Sequence, residues 1–303
     1  MAVNTFTLAK SIALTQYMKP FRSDSKLQTW AWDKVSTRKG TKKATEQIYS
    51  TAGYPSARAT DEMETIYYAD MAELDATTFT VNKYTLATMF SHEVIEDNLH
   101  LPDLMKDAGS SMGSSHSFLR DQVVAAIFNR AFNSTTQPMY DSAALCGSHT
   151  LQSGDSFNNE LTAADLTFDS MWSAVNSFQT SITAHSGLYL FDVPKWLVYH
   201  PSKEKQVKKI LETTNGEPDT ADNNKNTLRD YNIVPVPCRF LSTSTNWFLL
   251  GSRFKNDMLF LSREAVKTDM DDDFDRMAVK IRTYQRFATG VREFLYLFGN
   301  QGA

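Results

Sequence analysis

The sequence contains only two cysteines, Cys146 and Cys238, and their separation matches no paired motif. Two such cysteines are typical of small buried residues in a reducing cytosol. The sequence also lacks an apolar run of the ~20 residues that a membrane span needs. Its start, MAVNTFTLAKSIAL, lacks the apolar core of a signal peptide. We therefore expect a soluble protein that contacts no membrane and is not exported through a signal peptide.

Common catalytic motifs are missing as well. The sequence contains no G-x-S-x-G, no phosphate-binding P-loop and no dinucleotide fingerprint. Gly147, Ser148 and His149 fall in a turn-like segment, and scattered Ser, His and Asp residues make no triad without geometry. The sequence therefore predicts no catalytic residue and no cofactor.

The charge of the chain is small overall but unevenly placed. Its 303 residues are 42% hydrophobic and 22% charged, which suits one large domain or two intimate ones, and the net charge of −4 disfavours a dedicated nucleic-acid binder. Residues 19–43 carry eight basic and two acidic residues, a net charge of +6, so the rest of the chain carries −10. The basic residues are Lys19, Arg22, Lys26, Lys34, Arg38, Lys39, Lys42 and Lys43. This asymmetry indicates a charged partner surface.

The first third of the chain predicts elements that need a partner. Residues 1–36 form an arm in which Trp30 and Trp32 stand apart from any periodic element. ATEQIYST and METIYYADM, joined through a turn at Tyr54, predict a hairpin, and FTVNKYTLATMF predicts a further strand. The hairpin has few large aliphatic residues, and an isolated two-stranded ribbon is marginal in water.

The remaining chain alternates helical and extended patterns, which gives an α+β class. SHEVIEDNL predicts a short helix, and a long helix follows from Pro102 to about Asn133. Residues 141–160 predict a loop, and LTAADL predicts a helix capped by Thr162 and ended by Gly187. SKEKQVKKIL predicts a helix, and residues 214–226 a polar loop. The predicted strands are KWLVYHP, IVPVPCRFL, NWFLLG, MLFLS, RMAVKIRTYQRFA and the closing VREFLYLFG.

Two segments offer metal ligands without completing a known motif. On a helix, His92, Glu96 and His100 share a face, but a zinc-hydrolase helix needs histidine where Glu96 stands. We favour a solvated acidic face for this segment. In DMDDDFD, residues 269–275, the spacing resembles a calcium loop, but Phe274 and Lys280 stand where Gly and Glu are required. We expect an acidic loop there, and adventitious divalent binding remains open.

The basic stretch leaves two alternatives open. Its lysines, with Trp30 and Trp32 nearby, could bind phosphates and stack on bases. The favoured alternative is a docked arm whose lysines meet water or acidic neighbours, because the whole chain is acidic.

In their order and spacing, several segments resemble the major capsid proteins of tailed phages, in the Mu-type head-protein branch of the Hong Kong 97 capsid fold. The resemblance covers roughly residues 40–300. It rests on YTLATMFSHEVIEDNLHLPDLMKDAG, AAIFNRAF, ALCGSHTLQSGDSFNNELTAADLTFDSMWSAVNSF, GLYLFDVPKWLVYHPSKEKQVKKIL and YNIVPVPCRFLSTSTNWFLLG. The matching motif residues are Ser91, Glu93, Glu96, Asp97, His149, Asn158, Asn159, Pro194, Leu197, Val198, Pro201, Asn246, Trp247, Phe248 and Leu249.

The resemblance implies a Hong Kong 97-like fold with five parts. These are an N-terminal arm (1–36), an E-loop hairpin with its return strand (37–88), a peripheral domain with a long spine helix (89–160), an axial domain (161–262) and a returning peripheral strand (263–303). In this fold SHEVIEDNLH would join the hairpin's return strand to the spine helix. The arm and the hairpin, too poor in core residues on their own, would become stable in a lattice.

The resemblance further implies a structural protein of the virion and not an enzyme. Its copies would form hexamers and pentamers of an icosahedral shell, assembled in the host bacterial cytoplasm around double-stranded DNA that is contacted without sequence specificity. Because the chain starts close to the arm, any scaffold would be a separate protein, unless the arm suffices; portal and decoration proteins are further partners. No lysine–asparagine cross-link of the fold's namesake can be matched, so none is predicted.

The assembly contacts are hypotheses at this level. We expect the cluster of Arg38, Lys39, Lys42 and Lys43 to meet an acidic surface of a neighbouring copy, such as residues 269–275. The full set of candidate contacts is Trp30, Trp32, Arg38, Lys39, Lys42, Lys43, Tyr54, Glu93, Glu96, Asp97, Asp271 and Asp273. Two alternatives remain: an encapsulin-type shell of the same fold, and a metal-dependent hydrolase that uses His92, Glu93, Glu96 and His100.

Overall fold

The structure is a computed structural model that describes residues 32–97, 101–135, 139–213 and 226–302. The helices are α1 (Trp32–Val35), α2 (His92–Asp97), α3 (Leu101–Asn129), α4 (Phe168–Thr180), α5 (Glu204–Glu212) and α6 (Phe254–Asp257), with 3-10 turns at Pro201–Lys203 and Thr227–Tyr231. The strands are β1 (Thr37–Gly40), β2 (Thr45–Ile48), β3 (Thr77–Thr80), β4 (Asn82–Ser91), β5 (Ser148–Thr150), β6 (Ser156–Asn158), β7 (Pro194–Tyr199), β8 (Val234–Pro237), β9 (Trp247–Gly251), β10 (Met258–Asp273), β11 (Ala278–Val291) and β12 (Leu297–Asn300).

The first sheet is built around two long strands, β10 and β11. Its order is β1-β10-β11-β4, with β1 parallel to β10 and the other pairs antiparallel. The pairing of β11 with β4 is regular, whereas β10 shifts register between Ser262 and Glu264 and again between Glu264 and Lys267. Each shift places one extra residue in β10, which bends the strand locally.

The two faces of this sheet carry different elements, because successive side chains of a strand point to opposite faces. On one face, Val279 and Ile281 of β11 form a buried cluster with Met112 of the long helix α3. On the other face, Ala288 packs with Phe79 of β3 in a separate cluster. Helix α3 and the β2–β3 pair therefore lie on opposite sides of the sheet.

The second sheet, of order β12-β9-β7-β8, lies in the main core. All five residues of β9 are buried, as are five of the six residues of β7. Helix α4 contributes Met171, Ala174, Val175 and Phe178 to this core, and α5 contributes Val207 and Ile210. Sheets covered by helices confirm the predicted α+β class. The closing strand β12, which the predicted boundaries group with residues 263–303, pairs with β9.

Several predicted elements are confirmed. The segment SHEVIEDNL contains α2, and α3 begins at Leu101 with Pro102 in its first turn, although it ends at Asn129 and not near Asn133. The segments IVPVPCRFL and NWFLLG contain β8 and β9, KWLVYHP contains all of β7 but its first residue, and FTVNKYTLATMF contains most of β4. Of the predicted polar loop, residues 214–225 lie outside the described part of the chain.

The predicted start and end of the α4 helix are wrong. Residues 161–167 are not helical; the N-cap is Thr167, whose side chain accepts from the Ser170 N–H in a capping box. The backbone at Thr162 is instead held by Asn300, which donates to the Thr162 carbonyl at 2.8 Å. The helix ends at Thr180, and Gly187, with φ of +83°, lies in a later turn.

Three extended segments also differ from expectation. METIYYADM forms no strand, because its backbone meets no cross-strand partner among the described residues. The predicted loop at residues 141–160 contains the short β5–β6 hairpin. The predicted acidic loop belongs largely to β10, because β11 supplies cross-strand partners such as Lys280 and Arg282.

Cys146 and Cys238 are both free and buried, as predicted. Burial raises the pKa of the Cys146 thiol well above its ordinary value and that of Cys238 to about 12. Both thiols are therefore inert side chains of the core. In the described part of the chain, no helix combines the length and the apolar character that a membrane crossing requires.

Candidate interaction surfaces

A long ribbon, residues 44–81, projects from the first sheet. Strand β2 pairs antiparallel with β3, and backbone hydrogen bonds extend the pairing outward to Ala52, whose N–H donates to the Ala72 carbonyl at 2.9 Å. A bridge between Thr51 and Glu73 lies just inside this bond. Beyond it, the ribbon tip (residues 53–71) begins at Gly53, where φ is +78°. The ribbon is thus ordered by pairing at its base and carries an unpaired tip.

The ribbon tip exposes an unusual amount of apolar surface. Met63 is fully exposed and Tyr68 is 85% exposed. The exposed large apolar side chains of the tip are Tyr54, Met63, Ile66, Tyr67, Tyr68 and Met71. Large exposed apolar patches are typical of interaction sites, and Tyr54, a candidate contact from the sequence, is among these exposed side chains.

The base of the ribbon is anchored by packing on the first sheet. Phe79 of β3 is 3% exposed and shares a cluster with Val81, Leu259, Leu261 and Ala288, against which Ile48 also packs. Next to it, the Thr77 hydroxyl donates to the Arg292 carbonyl at 3.4 Å. The ribbon base therefore behaves as part of the body of the protein.

Beside the ribbon base lies a buried polar group that the sequence did not indicate. The hydroxyl of Tyr140 lies 2.9 Å from Nε2 of His185 and donates to Oε1 of Glu293 at 3.2 Å. Burial, with the Glu293 carboxylate adding to it, raises the pKa of Tyr140 far above its ordinary value. A tyrosine held protonated in this way is a hydrogen-bond donor and not a nucleophile. Its three members are separated by 45 and 108 residues in sequence, so no local sequence motif predicts this group.

This polar group opens into a cleft of about 470 Å³ between the ribbon and the main core. Residues 49–52 of the ribbon form one wall, and Arg253, Asp257 and Arg292 form part of the other. Arg292 donates to Asp257 at 2.5 Å, so this wall is internally paired. The arrangement places the ribbon base against the body of the protein.

The predicted cation cluster lies where the chain enters the ribbon. Arg38 and Lys39 belong to the edge strand β1, and Lys42 and Lys43 follow in the turn that leads to β2. All four side chains are exposed. Within the residues described, none of the four forms an ion pair. The structure thus brings these four sequence candidates together as one uncompensated charge of +4.

The acidic candidates Glu93, Glu96 and Asp97 lie on the exposed side of α2. The helix starts after Ser91, whose hydroxyl accepts from the Val94 N–H at 3.3 Å. His100, the third ligand of the hypothetical zinc site, lies outside the described residues. Among the residues that are described, no three His, Cys, Asp or Glu side chains are placed to hold a metal ion.

The acidic candidates Asp271 and Asp273 lie near the end of β10. Asp273 is paired with Lys280 of the adjacent strand, and that hydrogen bond lowers the pKa of the Asp273 carboxyl. Asp269 is likewise paired with Arg282 at 3.2 Å. Part of the acidity of residues 269–275 is therefore neutralised within the chain.

The hairpin tip that joins β10 to β11 exposes two apolar side chains that the sequence analysis did not name as contacts. Phe274 is 95% exposed and Met277 is 69% exposed. Of the two tryptophan candidates, Trp30 lies outside the described residues, and Trp32 is the first residue of α1, with a side chain that lies outside the description.

Comparison with protein families and solved structures gives a consistent result. A family model described as phage capsid protein matches residues 74–299. A search of curated proteins found no significant match.

Solved structures resemble the chain over most of its length. The capsid structure of cyanophage P-SCSP1u covers 91% of this chain and 88% of its own, with a TM-score of 0.65 and 10% identity. The mature capsid of bacteriophage PhiM1 covers 90% and 87%, with a TM-score of 0.58 and 11% identity. The procapsid of bacteriophage JBD30 covers 98% and 76%, with a TM-score of 0.51 and 14% identity. At these identities the similarity shows a shared fold.

Proposed function

Because the chain belongs to the phage capsid protein family and is a structural capsid protein, we propose that its copies form the hexamers and pentamers of an icosahedral phage head. The shell encloses double-stranded DNA, which its inner face contacts without sequence specificity. It assembles in the host bacterial cytoplasm and remains part of the virion, with scaffold, portal and decoration proteins as further partners.

The ribbon tip carries this proposal. Its large side chains, among them Met63, Ile66 and Tyr68, are exposed in the single chain, and leaving such groups in water costs about 1.5–3 kcal/mol each relative to burial. Repeated contacts between copies would bury them in every subunit of a shell. The candidate contacts on β1, α2 and the β10–β11 hairpin lie on exposed surfaces that suit the same purpose.

We assign the domains in the same way. The first sheet with α3 corresponds to the peripheral domain and its spine helix, and the second sheet with α4 and α5 corresponds to the axial domain. The ribbon corresponds to the E-loop. No enzymatic activity is part of the proposal, because the polar groups found in the cleft act as hydrogen-bonding anchors.

Electron microscopy of the purified protein tests the proposal. We expect closed shells, or hexamers and pentamers. A variant in which residues 54–70 are replaced by a short Gly-Ser linker should keep its thermal unfolding transition and lose assembly. A wild-type protein that stays monomeric at high concentration, with or without co-expressed scaffold, would refute the proposal.

Two further measurements separate the rivals. Shells that protect nucleic acid support the phage head, whereas shells that co-purify with a specific cargo enzyme support an encapsulin-type compartment. Stoichiometric zinc in the purified chain would support the hydrolase that uses His92, Glu93, Glu96 and His100.

A further inference from the structure

The ribbon carries opposite charges at its two ends. The cation cluster of Arg38, Lys39, Lys42 and Lys43 lies immediately before the ribbon's first backbone pairing, in which the Ala44 carbonyl accepts from the Val81 N–H at 2.9 Å. At the far end, the tip turns at residues 61–64, where the Asp61 N–H donates to Oε2 of Glu64 at 3.0 Å. Three acids, Asp61, Glu62 and Glu64, are exposed at this turn.

Neither group of charges is compensated in the chain described. No ion pair involves Asp61, Glu62 or Glu64 within the described ranges, just as none involves the four cations. The tip's own cation, Arg58, lies over the ring of Tyr67 at 4.4 Å. The tip therefore presents a net acidic turn surrounded by exposed apolar side chains.

The two groups cannot neutralise each other within one copy. The paired part of the ribbon runs from residue 45 to residue 52, and extended strands rise about 3.3 Å per residue, so it alone spans roughly 23 Å. That length exceeds two Debye lengths of about 8 Å at physiological ionic strength. The attraction between the two ends is therefore available only between copies.

The ribbon tip fits the cation cluster better than residues 269–275 do. In that acidic segment, Asp269 and Asp273 already have partners on β11 in the same chain. The tip instead combines three unpaired acids with apolar surface at Met63 and Ile66 that also requires a partner. An interface needs both charge complementarity and buried apolar area.

We propose that the acidic ribbon tip of one copy docks on the cation cluster at the ribbon base of the next copy, head to tail. The inference rests on the proposed capsid function, and it names which surfaces of two copies meet there. The contact joins two different patches, so each copy donates its tip once and receives a tip once, as a ring or a lattice requires. Exposed apolar side chains of the tip become buried at the same contact.

Charge exchange tests the proposal. The base-reversed variant carries Arg38→Glu, Lys39→Glu, Lys42→Glu and Lys43→Glu. The tip-reversed variant carries Asp61→Lys, Glu62→Lys and Glu64→Lys. Each should lower particle yield at least tenfold, and one chain that carries both sets of substitutions should recover most of the wild-type yield. Circular dichroism confirms that each variant is folded, because all seven positions are exposed.

Co-expression gives a second readout that does not depend on closed shells. In the base-reversed chain both the tip and the base are acidic, and in the tip-reversed chain both are basic, so opposite charges meet only between the two variants. A tagged base-reversed chain should therefore co-purify with the tip-reversed chain and not with untagged copies of itself. The matched control for the yield measurement is one chain that combines the base-reversed substitutions with Asp271→Lys and Asp275→Lys, and it should not recover the wild-type yield.

The outcomes are distinct. Absence of wild-type particles would defeat the proposed function itself. Wild-type particles together with failed rescue by the tip-reversed set, or rescue by the control set at positions 271 and 275, would overturn the docking proposal alone.

Discussion

The ring of Phe79 lies directly over Gly290, so close that a Cβ at position 290 would come within 2.8 Å of the ring's Cε1. Phe79 belongs to the ribbon and Gly290 to β11, the regular strand at the centre of the first sheet. This approach, which only the missing side chain allows, seats the ribbon base on the body of the protein.

The substitution Gly290→Ala should weaken the packing of the ribbon base, through Phe79, on the first sheet. Phe79 is buried, so its ring has little room to move, and overpacking a core costs about 1–3 kcal/mol. Urea denaturation measures the loss of unfolding free energy, and hydrogen exchange should show faster opening at residues 77–80. Gly40→Ala is the matched control, since its Cβ would meet only the Ser262 carbonyl at 4.0 Å. Equal effects of the two substitutions would contradict the prediction.

His116 should make the protein sensitive to acid. Its Nε2 lies 2.9 Å from the Thr283 hydroxyl, and burial, with Arg120 adding to it, lowers the pKa of His116 from 6.5 to about 4. The folded protein thus holds His116 neutral while the unfolded chain takes up a proton below pH 6.5. The contribution is fully present above pH 6.5 and is lost as pH falls toward 4, up to about 3 kcal/mol.

Unfolding free energies measured from pH 7.5 to pH 4 test this for the unassembled chain. His116→Gln cannot titrate, and it should show a shallower decline than the wild type over that interval. Parallel curves for the two proteins would rule out His116 as the source of the pH dependence.

Asn159 should be among the least replaceable polar residues. It is fully buried; its amide donates to the carbonyls of Leu145 at 2.9 Å and Phe294 at 3.2 Å, and it accepts from the Gly147 N–H at 2.8 Å. Asn159→Asp keeps the acceptor and removes both donations, which should cost about 2–5 kcal/mol because two buried carbonyls lose their partner. Asn158→Asp, at the exposed neighbouring position, should change the unfolding free energy little.

Two threonines distinguish the observed helix start from the predicted one. Thr167→Ala removes the capping box of α4 and should cost about 1 kcal/mol. Thr162→Ala, at the exposed position first expected to cap this helix, should cost much less. Thermal denaturation of the two variants side by side decides the matter, and a larger loss at Thr162 would favour the helix start predicted from the sequence.

The sequence predicted elements whose signals are local. The proline in the first turn and the helical period located α3, and runs of apolar residues located β7 and β9. Thr162 was predicted to cap α4, but the helix starts after Thr167, and the Thr162 carbonyl accepts from Asn300, which is 138 residues away. METIYYADM has strand-forming residues, but strand structure requires a pairing partner that the described chain does not provide.

The candidate surfaces, like the helices and strands, could be predicted only where their residues lie close together in the sequence. Arg38, Lys39, Lys42 and Lys43 are close in sequence, so their clustering could be predicted. The incorporation of residues 269–273 into β10 could not, because it depends on Lys280 and Arg282 of the opposing strand. The polar group of Tyr140, His185 and Glu293 joins three distant segments, so the local sequence pattern could not predict it.

Because the number of extra residues in β10 is even, its side chains keep the same alternation between the two faces of the sheet before and after the register shifts. Phe260 faces the main core before the register shifts, and Met270 packs under α3 after them, because two insertions restore the alternation that one would invert. Because each bulge absorbs its own extra residue, removing Arg263, the residue skipped by the first shift, should straighten β10 there and leave later pairs such as Met270 with Ile281 unchanged.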